Sequence, residues 1–230
     1  MNSLVSMYIK IGKTDFGRRV LCGMPKRDIV SWNSLITAYA QNGNWAEAFN
    51  LFLSMKSTED LFPNRITFLG LLLACGQIGN LDLGKSIHGH LICTGLISDL
   101  RLGTAMVNMY AKCDRVECAQ TIFEGELFDR SLDSWNTMFS GHAKIGDSAM
   151  AMRFFCQMQS ENQYKPDSVT MISFIQASAA ILTSCGAQIA HDFIGKLGLN
   201  SETQVMNSLI DAYAKNWFYR KGKKLVYADG

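Results

Sequence analysis

Ser31-Trp32-Asn33-Ser34-Leu35-Ile36-Thr37-Ala38-Tyr39 places Trp32, Leu35, Ile36 and Tyr39 at i, i+3, i+4 and i+7, the apolar stripe of an amphipathic helix. The stretch returns as Ser134-Trp135-Asn136-Thr137, 103 residues on, and the match extends to Met55 in the first copy and Met158 in the second. The same offset carries Ile66-Thr67 onto Val169-Thr170, Thr94-Gly95-Leu96 onto Leu197-Gly198-Leu199, and Tyr110-Ala111-Lys112 onto Tyr213-Ala214-Lys215. Self-similarity at a fixed offset marks a repeat protein.

The long period subdivides. Apolar pattern and turn signals restart at Ile29, Arg65, Leu100, Leu132, Ser168 and Thr203, giving units of 36, 35, 32, 36 and 35 residues. Three unit lengths therefore alternate in fixed order, after an opening unit already under way at Met1. Each unit reads as two helices. Gly43-Asn44, Gly79-Asn80 and Gly146-Asp147 supply the turn between them, since glycine accepts the left-handed conformation that ends a helix and Asn or Asp can cap the next. The second helix of the Ile29 unit is expected to bury Ala48, Phe49, Phe52 and Met55. Pro63, Pro166, Gly95 and Gly198 separate units. Period-two alternation is absent, so the expected fold is all-α, an α-solenoid of stacked helix-turn-helix repeats. One helix pair cannot bury both its faces, and neighbours complete the core.

Bulk properties narrow the function. No apolar run approaches the roughly 20 residues that span a bilayer, so no membrane is expected as a partner. The net charge of +2 is uneven: residues 1–202 carry −1 and residues 203–230 carry +3. Global charge thus argues neither for nor against nucleic acid. The seven cysteines include no CxxC, and none recurs at the repeat offset, so small thiols in a reducing compartment are expected rather than disulfides or zinc.

Catalytic and cofactor motifs are missing. A zinc deaminase needs HxE followed by PCxxC, and His88-Gly89-His90, His142-Ala143-Lys144 and His191-Asp192-Phe193 all fail that pattern. His88 aligns with His191, which points to a repeated structural histidine. GxGxxG, HExxH and GxSxG do not occur, and Gly79 to Ser86, which has the GxxxxGK[ST] spacing, follows a segment that reads as a helix rather than the strand that motif requires. No catalysis, metal or cofactor is expected.

The Ser31–Tyr39 stretch with Pro63-Asn64, Leu83-Gly84-Lys85-Ser86-Ile87-His88-Gly89-His90 with Thr94-Gly95-Leu96, and Met109-Tyr110-Ala111-Lys112-Cys113 resemble plant pentatricopeptide repeats. The alternating unit lengths are similar to the subclass with ordinary, long and short motifs, and the likeness covers residues 1 to about 215. It implies a right-handed superhelix that binds single-stranded RNA at about one base per unit, in a mitochondrion or chloroplast. DNA is not an expected partner. Guidance of cytidine-to-uridine editing is implied too, with an editing deaminase or another protein associated with the family as partner, because this chain shows no editing domain of its own.

In that family a polar residue in the first turn of the first helix and the last residue of the same unit choose the base. Carried over, the pairs are Asn2 with Asp28, Asn33 with Asn64, Thr104 with Ser131, and Asn136 with Asp167. The resemblance implies U, pyrimidine, any base, purine and U, read 5′ to 3′. Leu69 and Ile172 hold the corresponding place in the long units and cannot hydrogen-bond a base. Val30, Ile66 and Val169 match the aliphatic residues that sandwich bases, whereas Asp133, Arg101 and Gln204 depart from that pattern. Residues such as Asn33, Asn64 and Asp167 also suit helix caps and turns, and both readings stay open here.

The implied array is residues 1–216, in units 1–28, 29–64, 65–99, 100–131, 132–167, 168–202 and a partial 203–216. Residues 217–230 form an atypical tail whose Trp217-Phe218-Tyr219 is expected to cover the end of the stack. The competing reading is a protein-binding scaffold of the tetratricopeptide kind, whose WxxLGxxY pattern is not found here.

Overall fold

The computed structural model describes residues 2–25, 27–58, 61–125, 130–161, 163–180 and 184–226, with side chains for all of these except 2, 58, 178–180, 184–186 and 216–226. Among the described residues every regular element is helical. Two compact bodies divide the chain, Met1–Asp129 and Arg130–Gly230. The first contains α1 (Asn2–Lys10), α2 (Thr14–Cys22), α3 (Ile29–Gln41), α4 (Trp45–Thr58), α5 (Arg65–Ile78), α6 (Leu81–Cys93), α7 (Leu100–Lys112) and α8 (Val116–Phe123). The second contains α9 (Leu132–Ile145), α10 (Ser148–Glu161), α11 (Ser168–Ala180), α12 (Ser184–Leu197) and α13 (Thr203–Val226).

Caps set the helix starts. Asp28, Asn64 and Ser131 have extended backbones and accept from the amide three residues on, while the hydroxyl of Ser31, Thr67 or Ser134 accepts from the cap's own amide. Asn80 and Asp147 cap second helices through Leu83 N at 3.1 Å and Met150 N at 3.1 Å. Ahead of those two caps the chain turns at Gly79 and Gly146, with φ of 68° and 75°, where a side chain would be strained.

Within each body first helices pack on first helices: α1, α3, α5 and α7 in the one, α9, α11 and α13 in the other. Each second helix covers its partner. Trp32, Leu35, Ile36 and Tyr39 are all buried, as are their equivalents Trp135, Met138, Phe139 and His142. The second body adds Phe155 stacked on Phe174, with ring centroids 4.1 Å apart. In α4 the burial differs from the expectation. Ala48, Leu51 and Met55 are buried, whereas Phe49 and Phe52 are half-buried. Phe52 instead meets Phe68 of the next unit edge-on at 6.4 Å, because a second helix serves two neighbours and its stripe is split between them.

The histidine alignment acquires a structural meaning. His88 Nδ1 lies 3.0 Å from Tyr110 Oη, and His191 Nδ1 lies 3.4 Å from Tyr213 Oη, each pair linking a long unit's second helix to the following first helix. At the C-terminus α13 continues unbroken to Val226, into the stretch expected to form an atypical tail. The repeat equivalent α7 stops at Lys112 with Asp114 at φ 56°, a left-handed turn for which α13 has Trp217 in the same place, and Gly222 sits within the helix. The capping role expected of Trp217-Phe218-Tyr219 concerns side chains outside the described ones. No helix among the described residues is long and apolar enough to cross a membrane.

Candidate nucleic-acid interface

Asn64 closes one unit and caps the first helix of the next. Its Oδ1 accepts from the amides of Ile66 at 3.0 Å and Thr67 at 3.3 Å. The same oxygen accepts from Asn33 Nδ2 at 3.0 Å, and the Thr67 hydroxyl donates to Asn33 Oδ1 at 2.6 Å. The donors dictate the amide orientations. Backbone N–H groups require an oxygen on Asn64, that oxygen requires Asn33 to turn its nitrogen toward it, and the Asn33 oxygen is thereby left to the threonine. One N–H of Asn33 and the Nδ2 of Asn64 stay uncommitted.

The second body repeats the arrangement with a carboxylate. Asp167 Oδ1 accepts from Thr170 N at 2.8 Å and Asn136 Nδ2 at 3.3 Å, and it lies 2.8 Å from Thr170 Oγ1, whose one proton it shares with Asn136 Oδ1. The Thr170 hydroxyl also lies 2.6 Å from Asn136 Oδ1. All these bonds fall on Oδ1, leaving Oδ2 uncommitted. Partial burial opposes ionisation of Asp167, but the Thr170 amide and hydroxyl and the Asn136 amide outweigh it and hold the carboxyl below its ordinary range.

Asn33 and Asn136 are the residues for which the resemblance implies base choice and helix position suits capping. The structure buries them, 4% and 8% exposed, within α3 and α9 rather than at helix caps. The residues named as unit ends, Asp28, Asn64, Ser131 and Asp167, are the ones that bond to the first-turn amides of the following helix. For Asn64 and Asp167 capping and pairing with the preceding asparagine occur together.

Above Asn33 and Asn64 opens a hollow of about 390 Å³, walled by Val30 and Ile66 and reaching Lys10 and Gln41. Val30, Ile66 and Val169 are 58%, 50% and 55% exposed although apolar. Their counterpart Asp133 is exposed as well. Apolar side chains left in solvent beside a polar floor suit a flat ring with hydrogen-bonding edges.

For the other pairs the described contacts are local. The Asn2 side chain lies outside the described ones, and Asp28 caps α3 through Ser31 N at 2.8 Å. Thr104 donates to Leu100 O at 2.9 Å within its own helix, and Ser131 accepts from Ser134 N at 3.2 Å in the other body. In the long units Leu69 and Ile172 are half-buried. Asp99, the last residue of unit 65–99, is ion-paired with Arg65 at 2.9 Å and caps α7. Burial raises its pKa, and the Arg65 hydrogen bond with the Leu102 and Arg101 amides brings it below the ordinary value.

Two sets of residues escaped the sequence reading. Thr67 and Thr170 were visible only as part of the 103-residue match, since a threonine three residues after Asn or Asp reads as a capping partner. Lys10 and Lys112 fall at one position of their first helices, and Lys112 lines a hollow of about 110 Å³ with Asn108, Leu72 and Gly76. The equivalent Lys215 borders a hollow of about 90 Å³ and pairs with Asp211 at 2.6 Å. Spacing alone could have shown that recurrence.

Comparison with known proteins gives consistent matches. Residues 27–77 and 130–179 match the PPR repeat family, and residues 1–29 and 205–227 match the PPR repeat. A pentatricopeptide repeat-containing protein of Arabidopsis thaliana is 34% identical over 93% of this chain and 37% of its own length. The chloroplastic pentatricopeptide repeat-containing protein CRR2 of the same plant is 37% identical over 77% of this chain and 27% of its own length. The chain therefore spans roughly a third of the curated relatives it matches. The crystal structure of the pentatricopeptide repeat protein PPR10 from maize superimposes with a TM-score of 0.80 at 20% identity, over 100% of this chain and 33% of that one. The PPR10 complex with an 18-nt psaJ RNA element gives 0.78 at 20% identity, over 99% and 34%.

Proposed function

The chain belongs to the pentatricopeptide repeat family, and from that premise we propose that it binds single-stranded RNA sequence-selectively, with Asn33 and Asn64 reading one base and Asn136 and Asp167 another. The observation that carries this is the repeated pair: an asparagine and a unit-end residue joined by a hydrogen bond at 3.0 Å and again at 3.3 Å, each pair leaving polar atoms free. Uracil presents an N–H between two carbonyl oxygens. The uncommitted Asp167 Oδ2 accepts the former and the spare Asn136 N–H donates to one of the latter. Cytosine offers a bare ring nitrogen at that place, which a carboxylate repels. Asn33 and Asn64 offer only N–H donors, which suit carbonyl or ring-nitrogen acceptors on either pyrimidine.

Val30, Ile66 and Val169 are proposed as the faces against which bases lie, and Lys10 and Lys112 as contacts to the phosphate backbone. Asn2 with Asp28 and Thr104 with Ser131 are proposed as the remaining reading pairs. The role belongs to organellar RNA metabolism, a processing step such as guided editing in which the array itself is not the catalyst and a deaminase or other partner performs the chemistry.

The test is equilibrium binding of the 230-residue chain to RNA carrying U-pyrimidine-N-purine-U against a scrambled sequence of equal composition, at two salt concentrations. Weak, salt-sensitive binding that favours the designed order supports the reading. Equal affinity for both RNAs removes base selectivity, and no binding at low salt returns the chain to the class of protein-binding scaffolds.

A further inference from the structure

We infer that Thr67 and Thr170 are positioning residues for base recognition: each hydroxyl, supplied by the following unit, sets which edge of Asn33 or Asn136 faces the RNA. The inference rests on the proposed RNA binding and adds to it a residue that touches no base. Both threonines are completely buried, so neither can meet RNA itself. Each holds the asparagine oxygen at 2.6 Å, the shortest contact in its network. Without that hydroxyl the carbonyl lacks its donor, and the amide can rotate to offer the base an oxygen in place of an N–H. Discrimination between base edges would fall while stacking and phosphate contacts persist.

The chain contains its own control. Where the fifth residue of a unit is Asn33 or Asn136, the third residue of the next is Thr67 or Thr170. Where the fifth residue is Leu69 or Ile172, the third residue of the next is Leu102 or Val205, apolar and completely buried. Capping alone does not explain that pairing, because Asp99 caps α7 through the Arg101 and Leu102 amides with no hydroxyl at the third position.

The test uses the full chain with Thr170→Val, which keeps the branched shape, and Thr170→Ser, which keeps the hydroxyl. RNAs varied at the second and fifth bases are titrated against each. Thr170→Val is expected to reduce the preference for U at the fifth base about five-fold and to leave the second base unaffected. Thr67→Val should do the reverse, and the serine variants should restore selectivity. A purely structural role would weaken all RNAs equally, and that outcome overturns the proposal, as does unchanged selectivity. An RNA-independent measurement accompanies it: proton exchange of the Asn33 and Asn136 side-chain amides by NMR. Thr67→Val should accelerate exchange at Asn33 only, and unaltered exchange there contradicts the proposal. If the wild-type chain shows no base preference while exchange responds as expected, the RNA reading fails and the hydrogen-bond network stands.

Discussion

His88 and Tyr110 meet across a unit boundary, Nδ1 to hydroxyl oxygen at 3.0 Å, with their rings edge to face at 5.7 Å. Burial lowers the His88 pKa and raises that of Tyr110, so the fold favours both groups neutral. The contribution of a histidine with a depressed pKa is complete above its unfolded value of about 6.5 and is lost as pH falls through and below it. Thermal unfolding of the wild type should therefore shift to lower temperature between about pH 7.5 and pH 5 more than that of His88→Phe. Equal shifts in the two proteins would assign the acid sensitivity elsewhere.

Asp167→Asn converts the second reading pair into a copy of the first. The substituted amide still accepts from Thr170 and Asn136 through its oxygen, but the free acceptor becomes a donor. Preference for U over C at the fifth base should drop by about five- to ten-fold, with affinity for the C-containing RNA maintained or raised. Anisotropy titrations with the two RNAs decide it, and Asn64→Asp should produce the mirror effect at the second base.

Phe155→Ala should cost about 3–5 kcal/mol, measured by urea unfolding. Phe155 is 2% exposed and stacks on Phe174 while meeting Phe193 edge-on at 5.1 Å, so its loss opens a cavity shared by three helices. RNA selectivity of the folded fraction should not change. A cost below about 1 kcal/mol would mean the neighbouring rings collapse into the space.

Arg65→Ala should cost less than about 1 kcal/mol, because its side chain is 49% exposed and water screens the pair with Asp99. Asp99→Ala also removes the cap of α7 and should cost about 1 kcal/mol in the same unfolding assay. Neither variant should alter base choice, since the first-turn residue of that unit is Leu69.

The helices were legible because local chemistry is repeated along this chain: stripes such as Trp32 to Tyr39, Gly79 and Gly146 at turns, and Asp28, Asn64 and Ser131 at starts. The split burial of α4 was not, because Phe52 meets a residue of the next unit, a relation that a single helix's periodicity does not encode. Nor was the continuation of α13, which depends on a missing stop signal. At the site, alignment with a known family supplied the Asn33–Asn64 and Asn136–Asp167 pairs. The threonine bond did not emerge from alignment, since it joins residues 34 positions apart through a hydroxyl whose visible role was a local cap.

The double duty of Asn64 has a consequence for building new arrays from these parts. Severing the chain between Asn64 and Arg65 and exchanging the C-terminal portion would transplant a different third residue beneath Asn33, silently altering the donor that orients it. The smallest segment that keeps its base preference on transfer runs from before Asn33 to beyond Thr67, so the exchangeable module straddles two structural repeats rather than coinciding with one.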